Sequence, residues 1–388
     1  ALMLIGEEQQ ASYNRILLSS ILCGDKTEQD ACLLDKPWYQ AQGVRLHTGD
    51  RAISVDLAGN TGATEQGQTF SYDRLVFATG STAHIPSIPG ADAAGVMGFR
   101  SLADLAQIRL NAKRGGKALV VGGGLLGLEA AHGLNALGMD VTVIHRNSYP
   151  MNRQLDEEAG ELLQRQLERR GIAFAMNVSP LSLAVENGAV TGMALSDGAN
   201  LAADLVLFAA GIDPRMELAQ AAGIACKRAI VADRFMQTSA DQVYALGECC
   251  EIDGRTFGLV APVYEQAECL ADRLCHRPTA GYTYVETPTQ LKVSGIDLYS
   301  AGELPFGADT NSQYLRFVHA TGRLWESQEA DQPDKRNHPA RFMNWHDALA
   351  WDTAASWRTI EEARRRWGLP GYLALGSRRE IHGWTCFH

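Results

Sequence analysis

The eight cysteines of this chain, at positions 23, 32, 226, 249, 250, 269, 275 and 386, form no C-x-x-C pair and no Cys/His spacing of a zinc site. Dithiol exchange within one loop and a structural zinc are excluded on that ground. The thiols are expected to be reduced side chains of a cytoplasmic protein. No apolar run approaches the length of a membrane span, and Ala1-Leu-Met-Leu-Ile-Gly-Glu-Glu8 has neither the basic flank nor the apolar core of a signal peptide. There is no basic block, and the net charge is −10, so nucleic acid is not an expected partner. No nucleophile triad or metal-ligand spacing is visible, and no metal is expected. What is present is an ordinary globular composition, 46% hydrophobic and 21% charged over 388 residues, enough for two or three domains.

The most informative stretch is Lys117-Ala-Leu-Val-Val-Gly122-Gly-Gly124-Leu-Leu-Gly127-Leu-Glu129. An apolar run ends in a glycine cluster that opens into a helical pattern with Leu126, Ala130, Leu134 and Leu137 on one face. A second strand pattern, Asp140–Ile144, follows at the βαβ distance. In that context G-x-G-x-x-G is a dinucleotide signature. Gly122 permits the tight turn, Gly124 lets backbone approach a pyrophosphate, and Gly127 lets helix pack against strand. The helix N-terminus presents free N–H groups and a positive dipole end to phosphate. The second strand ends at His145-Arg146 rather than at an acid. Arg146 suits the 2′-phosphate of NADPH, whereas Gly127, in place of the alanine often found with NADPH, points the other way.

Other segments end in the same manner. Leu2–Ile5 reads as a buried strand closing on Glu7 and Glu8, where an acid can hold ribose hydroxyls. Arg15 read alone is a surface arginine. Residues 44–57 and 69–77 alternate as antiparallel strands would, and the second run stops at Thr79-Gly80. Ser101 is a candidate N-cap for a helix to Leu110. Leu155–Arg170 is an amphipathic helix with Leu162, Leu163 and Leu167 inward. Residues 180–206 read as strands with Asn-Gly and Asp-Gly turns, before Leu205–Phe208 runs to Gly211. Val243-Tyr-Ala245 runs to Gly247 and Glu248, a carboxylate suited to a ribityl hydroxyl. Gly258–Ala267 starts a helix with Pro262 near its N1 position.

In this order the pieces resemble the pyridine nucleotide-disulfide oxidoreductase-like flavoproteins. The resemblance is strongest to the FAD-containing amino-terminal part of NADH-dependent nitrite reductase large subunits. Nitrate reductase electron-transfer subunits and NADH:rubredoxin reductases are also similar. It rests on Tyr13-Asn14-Arg15-Ile-Leu-Leu-Ser19, Thr79-Gly80, Gly122-x-Gly124-x-x-Gly127-x-Glu129, Arg153-Gln154-Leu155-Asp156, Gly211 and Tyr244-Ala-Leu-Gly247-Glu248. Leu259–Gln266 and Thr289–Asp297 add to it, and the likeness covers about residues 2–305.

The resemblance implies an α/β fold of two Rossmann-like domains. An FAD domain (1–113 and 212–285) is interrupted by an NAD(P) domain (114–211), and a cap domain starts at 286–323. It implies that Glu8 or Glu7 holds the FAD ribose, that Arg15, Thr79 and Gly80 line FAD, and that Gly247 and Glu248 hold its pyrophosphate and ribityl chain. Pro262 and Glu265 would approach the isoalloxazine, and Glu129 would stand where nicotinamide meets flavin. The cofactors implied are FAD and NADH, with NADPH open. The reaction implied is hydride transfer from nicotinamide C4 to flavin N5, with electrons passed to a redox protein or domain of sirohaem/iron–sulfur, rubredoxin or ferredoxin type. A homodimer is left open.

Two departures set further expectations. The family's first strand and glycine loop for FAD have no counterpart before Leu2, so an amino-terminally truncated product is expected. Each backbone group orphaned by a missing strand would cost about 1–3 kcal/mol. Residues 324–388 hold six of the seven tryptophans and lose periodicity. They are expected to be a poorly structured tail, the other reading being a partner-docking appendage. The rival functional readings are a non-enzymatic remnant that binds only nicotinamide dinucleotide and a rubredoxin or ferredoxin reductase.

Overall fold

The computed structural model describes residues 1–285, 289–293, 296–302 and 314–319. The expected tail, 324–388, lies outside them. The chain divides into two compact units, one of Ala1–Ser148 with Gly171–Thr287, the other of Tyr149–Arg170 with Pro288–His388. The strands that matter for the site are β1 (Leu2–Gly6), β2 (Val44–Thr48), β3 (Leu75–Phe77), β4 (Val96–Gly98), β5 (Lys117–Val121), β6 (Asp140–His145), β7 (Ile172–Met176), β8 (Leu205–Phe208) and β9 (Val243–Ala245). The helices are α1 (Leu18–Cys23), α2 (Leu102–Asn111), α3 (Leu125–Ala136), α4 (Glu157–Glu168) and α5 (Val260–Leu274).

In the first unit β5 is the centre of a five-stranded parallel sheet of order β7-β6-β5-β8-β4. Both faces of β5 are covered, which is why it reads as a continuous apolar run: Ala118, Leu119, Val120 and Val121 are all buried. α3 follows it directly. Its buried surface is broader than the one stripe expected, because Leu128, Ala131 and Gly133 are covered along with Ala130 and Leu134, while Leu126 and Leu137 are only half-buried. Gly133 takes the side chain of Leu22 from α1, so α3 has neighbours on more than one side.

The expectation that residues 44–57 and 69–77 pair antiparallel is corrected in part. Residues 52–56, 61–64 and 69–71 do form an antiparallel meander. β2, however, pairs parallel with β1, and β3 pairs parallel with β9. Alternation along a strand reports which face is covered and says nothing of the partner's direction. The 180–202 segment forms the expected antiparallel meander, with Asn187 and Gly188 both at positive φ in its turn.

α2 begins at a capping box in which Ser101 and Asp104 satisfy each other's backbone N–H. Within the second unit, α4 is capped by Asp156 and buries Leu163 and Leu167, whereas Leu162 is half-buried. That unit also carries an antiparallel meander, Thr289–Val293, Ile296–Gly302 and Tyr314–His319, with Leu291, Ile296 and Leu298 buried.

Candidate functional site

The turn between β5 and α3 is shaped by three glycines with three different surroundings. Gly122 has φ +123°, and a Cβ there would lie 2.5 Å from the Ala209 carbonyl oxygen. At Gly127 a Cβ would lie 1.8 Å from the Gly122 carbonyl oxygen, so α3 touches the strand end with no space for a side chain. Gly124 is the helix N-cap, and a Cβ there would meet nothing within 4 Å. Two glycines thus close the turn and the third faces open space, with the first N–H groups of α3, which have no intrahelical acceptor, behind it. The Gly123 N–H donates to His145 Nδ1 at 3.1 Å, which makes that nitrogen the acceptor and pins the ring at the end of β6. Arg146 beside it is exposed.

A second cluster forms where β1, β3 and β9 end. The Glu248 carboxylate accepts from Ser81 Oγ at 2.8 Å and is ion-paired to Arg100. Arg100 also donates from Nε to the Ser81 carbonyl at 3.2 Å, and its own carbonyl accepts from Arg15 at 2.8 Å. Arg15 is ion-paired to Glu8, whose other oxygen accepts from the Tyr13 hydroxyl at 2.5 Å. Glu7 takes Arg215 at 2.6 Å, and Arg215 is fixed from behind by its N–H on the Gly80 carbonyl and its carbonyl under Thr79 Oγ1. Burial, with the neighbouring charge of Arg15, pulls Arg100 down to about 10. Burial and the Glu8 carboxylate push the Tyr13 hydroxyl up. Both shifts mark the inner part of the network, Arg100 and Tyr13, as sheltered from water, while Arg15 and Arg215 lie nearer the surface.

Gly247, at φ +81°, turns the chain so that Glu248 reaches this network, and its N–H donates to Gln266 Oε1 at 2.8 Å. Gln266 is fully buried on α5. Pro262 is the third residue of α5, in its first turn. All four leading N–H groups of a helix are without intrahelical partners, so proline fits anywhere in the first turn. Glu265 is exposed, and partial burial together with Glu268 raises its carboxyl. Glu129 is buried. Burial first, then Asp25 and Glu129, pushes the Cys23 thiol up to about 12, which puts Glu129 near α1. Gly211 has φ +141° and lends its carbonyl to the His84 N–H at 3.0 Å.

The two clusters are joined by a short ribbon. Ile212–Pro214 pairs antiparallel with Ser81–Ala83. One strand leaves the Ala209 carbonyl that Gly122 touches, and the other begins at the Ser81 that holds Glu248. Glu7, Glu8, Arg15, Thr79, Gly80, Gly247 and Glu248 are therefore brought together, and Gly122, Gly124 and Gly127 stand at the other end of the ribbon. Four partners were not singled out from sequence: Ser81, Arg100, Arg215 and Gln266. Arg100 sits one residue before a helix cap and 148 positions from Glu248, so nothing local distinguishes it from a surface arginine.

The family model of the pyridine nucleotide-disulphide oxidoreductases matches residues 1–269. The assimilatory nitrate reductase electron transfer subunit of Bacillus subtilis is 44% identical over 313 residues, 80% of this chain and 40% of that protein. The nitrite reductase (NADH) large subunit of Escherichia coli is 35% identical over 300 residues, 76% of this chain and 35% of that protein. This chain therefore spans well under half the length of these two relatives. Among solved structures, a ferredoxin reductase from Rhodopseudomonas palustris superposes with a TM-score of 0.71 at 26% identity, covering 83% of each chain. No helix among the described residues is long and apolar enough to cross a membrane. With a glycine turn at the carboxyl end of a central parallel strand and a family match over more than half its length, the chain belongs to the pyridine nucleotide-disulphide oxidoreductase family.

Proposed function

We propose that this chain is an FAD-dependent NAD(P)H oxidoreductase that passes electrons from a nicotinamide cofactor through flavin to a redox partner. The proposal makes it the electron-entry part of a nitrite- or nitrate-reductase-like system. The observation that carries the reading is the ribbon of Ser81–Ala83 and Ile212–Pro214, which ties a glycine turn suited to one dinucleotide to a charged cluster suited to another.

The residues fit both groups. Gly124 offers an uncluttered helix N-terminus for a pyrophosphate. Among the described residues, Glu248 engages its protein partners through Oε2, which leaves Oε1 for a ribityl hydroxyl. Bound together, nicotinamide and flavin would supply hydride transfer. The chain's share is positional. Arg100 and Ser81 fix the Glu248 carboxylate, Gln266 fixes the Gly247 turn, Tyr13 and Arg15 orient Glu8, and Arg215 holds Glu7. Such preset partners remove the orientational cost of bringing two rings into register. The residues of 1–113 and 212–285 form the proposed flavin part and 114–211 the nicotinamide part. NADH is the proposed donor, in keeping with the relative whose name carries it.

The test is an absorbance spectrum of the purified chain with and without added FAD, followed by anaerobic NADH. Flavin bands that appear on the protein and bleach with NADH are expected. Absence of flavin at saturating FAD would overturn the proposal and leave a chain that binds only nicotinamide dinucleotide.

A further inference from the structure

A cavity of about 580 Å³ opens at the amino ends of β3 and β9, the opposite ends of the strands from Gly80 and Gly247. Its wall carries Arg74, Arg273, Arg277 and His276, with Phe235 among its apolar lining, and no carboxylate lines it. That is a reversal of sign in a chain of net charge −10. The arginines come from separate elements. Arg74 precedes β3 and is held by Gln242 Oε1 at 3.2 Å and the Leu274 carbonyl at 3.5 Å, while Arg273 lies in the last turn of α5. Only Arg277 has a counter-ion, Asp272 at 2.7 Å; among the described residues Arg74 and Arg273 form no ion pair. Arg273 and Arg234 instead stand over the same Phe235 ring, at 5.4 and 5.0 Å.

The negative end of α5 accounts for cations in its last turn. Arg74 arrives from another element, donates to the Leu274 carbonyl at that same end, and lines the same opening. Converging guanidiniums without counter-ions repel one another, and a bound anion relieves that repulsion. Guanidinium suits a phosphate better than a point charge does, because its planar fork donates two parallel hydrogen bonds. The volume lies in the range of small-molecule sites, and Phe235 adds an aromatic edge to the lining beside the charge.

We propose that this cavity binds a small phosphate ester with an aromatic body, at a place separate from both dinucleotide turns. The proposal stands whether or not the flavin reading does, since none of its residues belongs to that cluster. The probe is phenyl phosphate, titrated calorimetrically into the full chain with FAD and NAD⁺ in excess, so that any pyrophosphate subsite is occupied. One site per chain is expected. Binding should weaken by about tenfold or more in Arg273→Ala and in Arg74→Ala, as expected for loss of one charge-assisted hydrogen-bonding partner. Asp272→Asn, which frees Arg277, should tighten it, and this gain cannot come from misfolding. Added salt should weaken it. No saturable binding, or binding that neither arginine variant changes, would overturn the assignment. Inorganic phosphate that binds as tightly as phenyl phosphate would overturn the aromatic part of it.

Discussion

The two regions of this molecule proposed to hold dinucleotides are built in opposite ways. Around Gly122 the work is done by backbone: one βαβ unit, in the middle of a five-stranded sheet, places three glycines within six residues of one another. Around Glu248 it is done by side chains. Glutamates, arginines, a tyrosine and a serine meet in pairs up to 208 positions apart, and β1–β2 and β3–β9 beneath them are two-stranded pairs. Leu2 and Leu4 on β1 and Val76 on β3 are exposed, whereas β5 from Ala118 to Val121 is buried. A backbone site fails when a side chain is added, and a side-chain site fails when one is removed.

That contrast yields tests of graded size. The largest effect is expected from Gly127→Val, which drives a side chain into the Gly122 carbonyl. Thermal unfolding should show a loss of about 3 kcal/mol or more, at the upper end of overpacking penalties. Next are Arg100→Ala and Glu248→Gln. Each removes one partner of a sheltered ion pair, and FAD affinity should fall by about 30- to 100-fold, the equivalent of about 2–3 kcal/mol, with little change in nicotinamide affinity. Equal damage to both cofactors from Arg100→Ala would show that the two regions are not separable. Ser101→Ala, which removes the cap of α2 next to Arg100, should cost about 1 kcal/mol in unfolding and leave FAD binding within about twofold.

A pH test follows from Asp50, at the end of the β1–β2 pair. Its burial opposes ionisation, but hydrogen bonds from His47 at 2.8 Å, Thr64 at 2.6 Å and the Gln66 N–H at 3.0 Å win, and its carboxyl is held below the usual carboxylate range. A lowered carboxyl stabilises the fold above its ordinary range. That contribution fades as acid carries the pH down through the lowered value. Asp50→Asn should therefore flatten the acid limb of a stability profile and leave neutral pH activity unchanged. The smallest effect is expected from Arg146→Ala. If NADH is the donor, its KM should stay within about twofold, since an exposed arginine there serves a 2′-phosphate only. A selective loss of NADPH use would show instead that Arg146 reads that phosphate.

Legibility in the sequence followed the same division. The β5–α3 turn could be read because its determinants are contiguous: an apolar run, glycines at fixed spacing, then a helical face. Ser101 as a cap and the Asn187-Gly188 turn were legible for the same reason, since each motif closes within four residues. The ends of β1, β3 and β9 were legible as strand ends followed by glycine or acid. Their pairing was not, because residues 44–48 alternate like an antiparallel strand yet lie parallel to β1.

By itself, then, the sequence determined where the chain turns, that β5 is buried on both faces and which positions admit no side chain. These are local matters of backbone conformation and of hydrophobic period. The burial of β1 was not among them: it is expected to be buried, yet Leu2 and Leu4 are exposed because its only strand partner among the described residues is β2. Only the tertiary structure decided which charges meet. Arg100 next to Glu248, Arg215 next to Glu7, and Arg74 in one cavity wall with Arg273 are separations of well over a hundred residues closed by folding. A charged side chain carries the same letter whether water or another residue is its partner, so its role is fixed only when the fold removes the water.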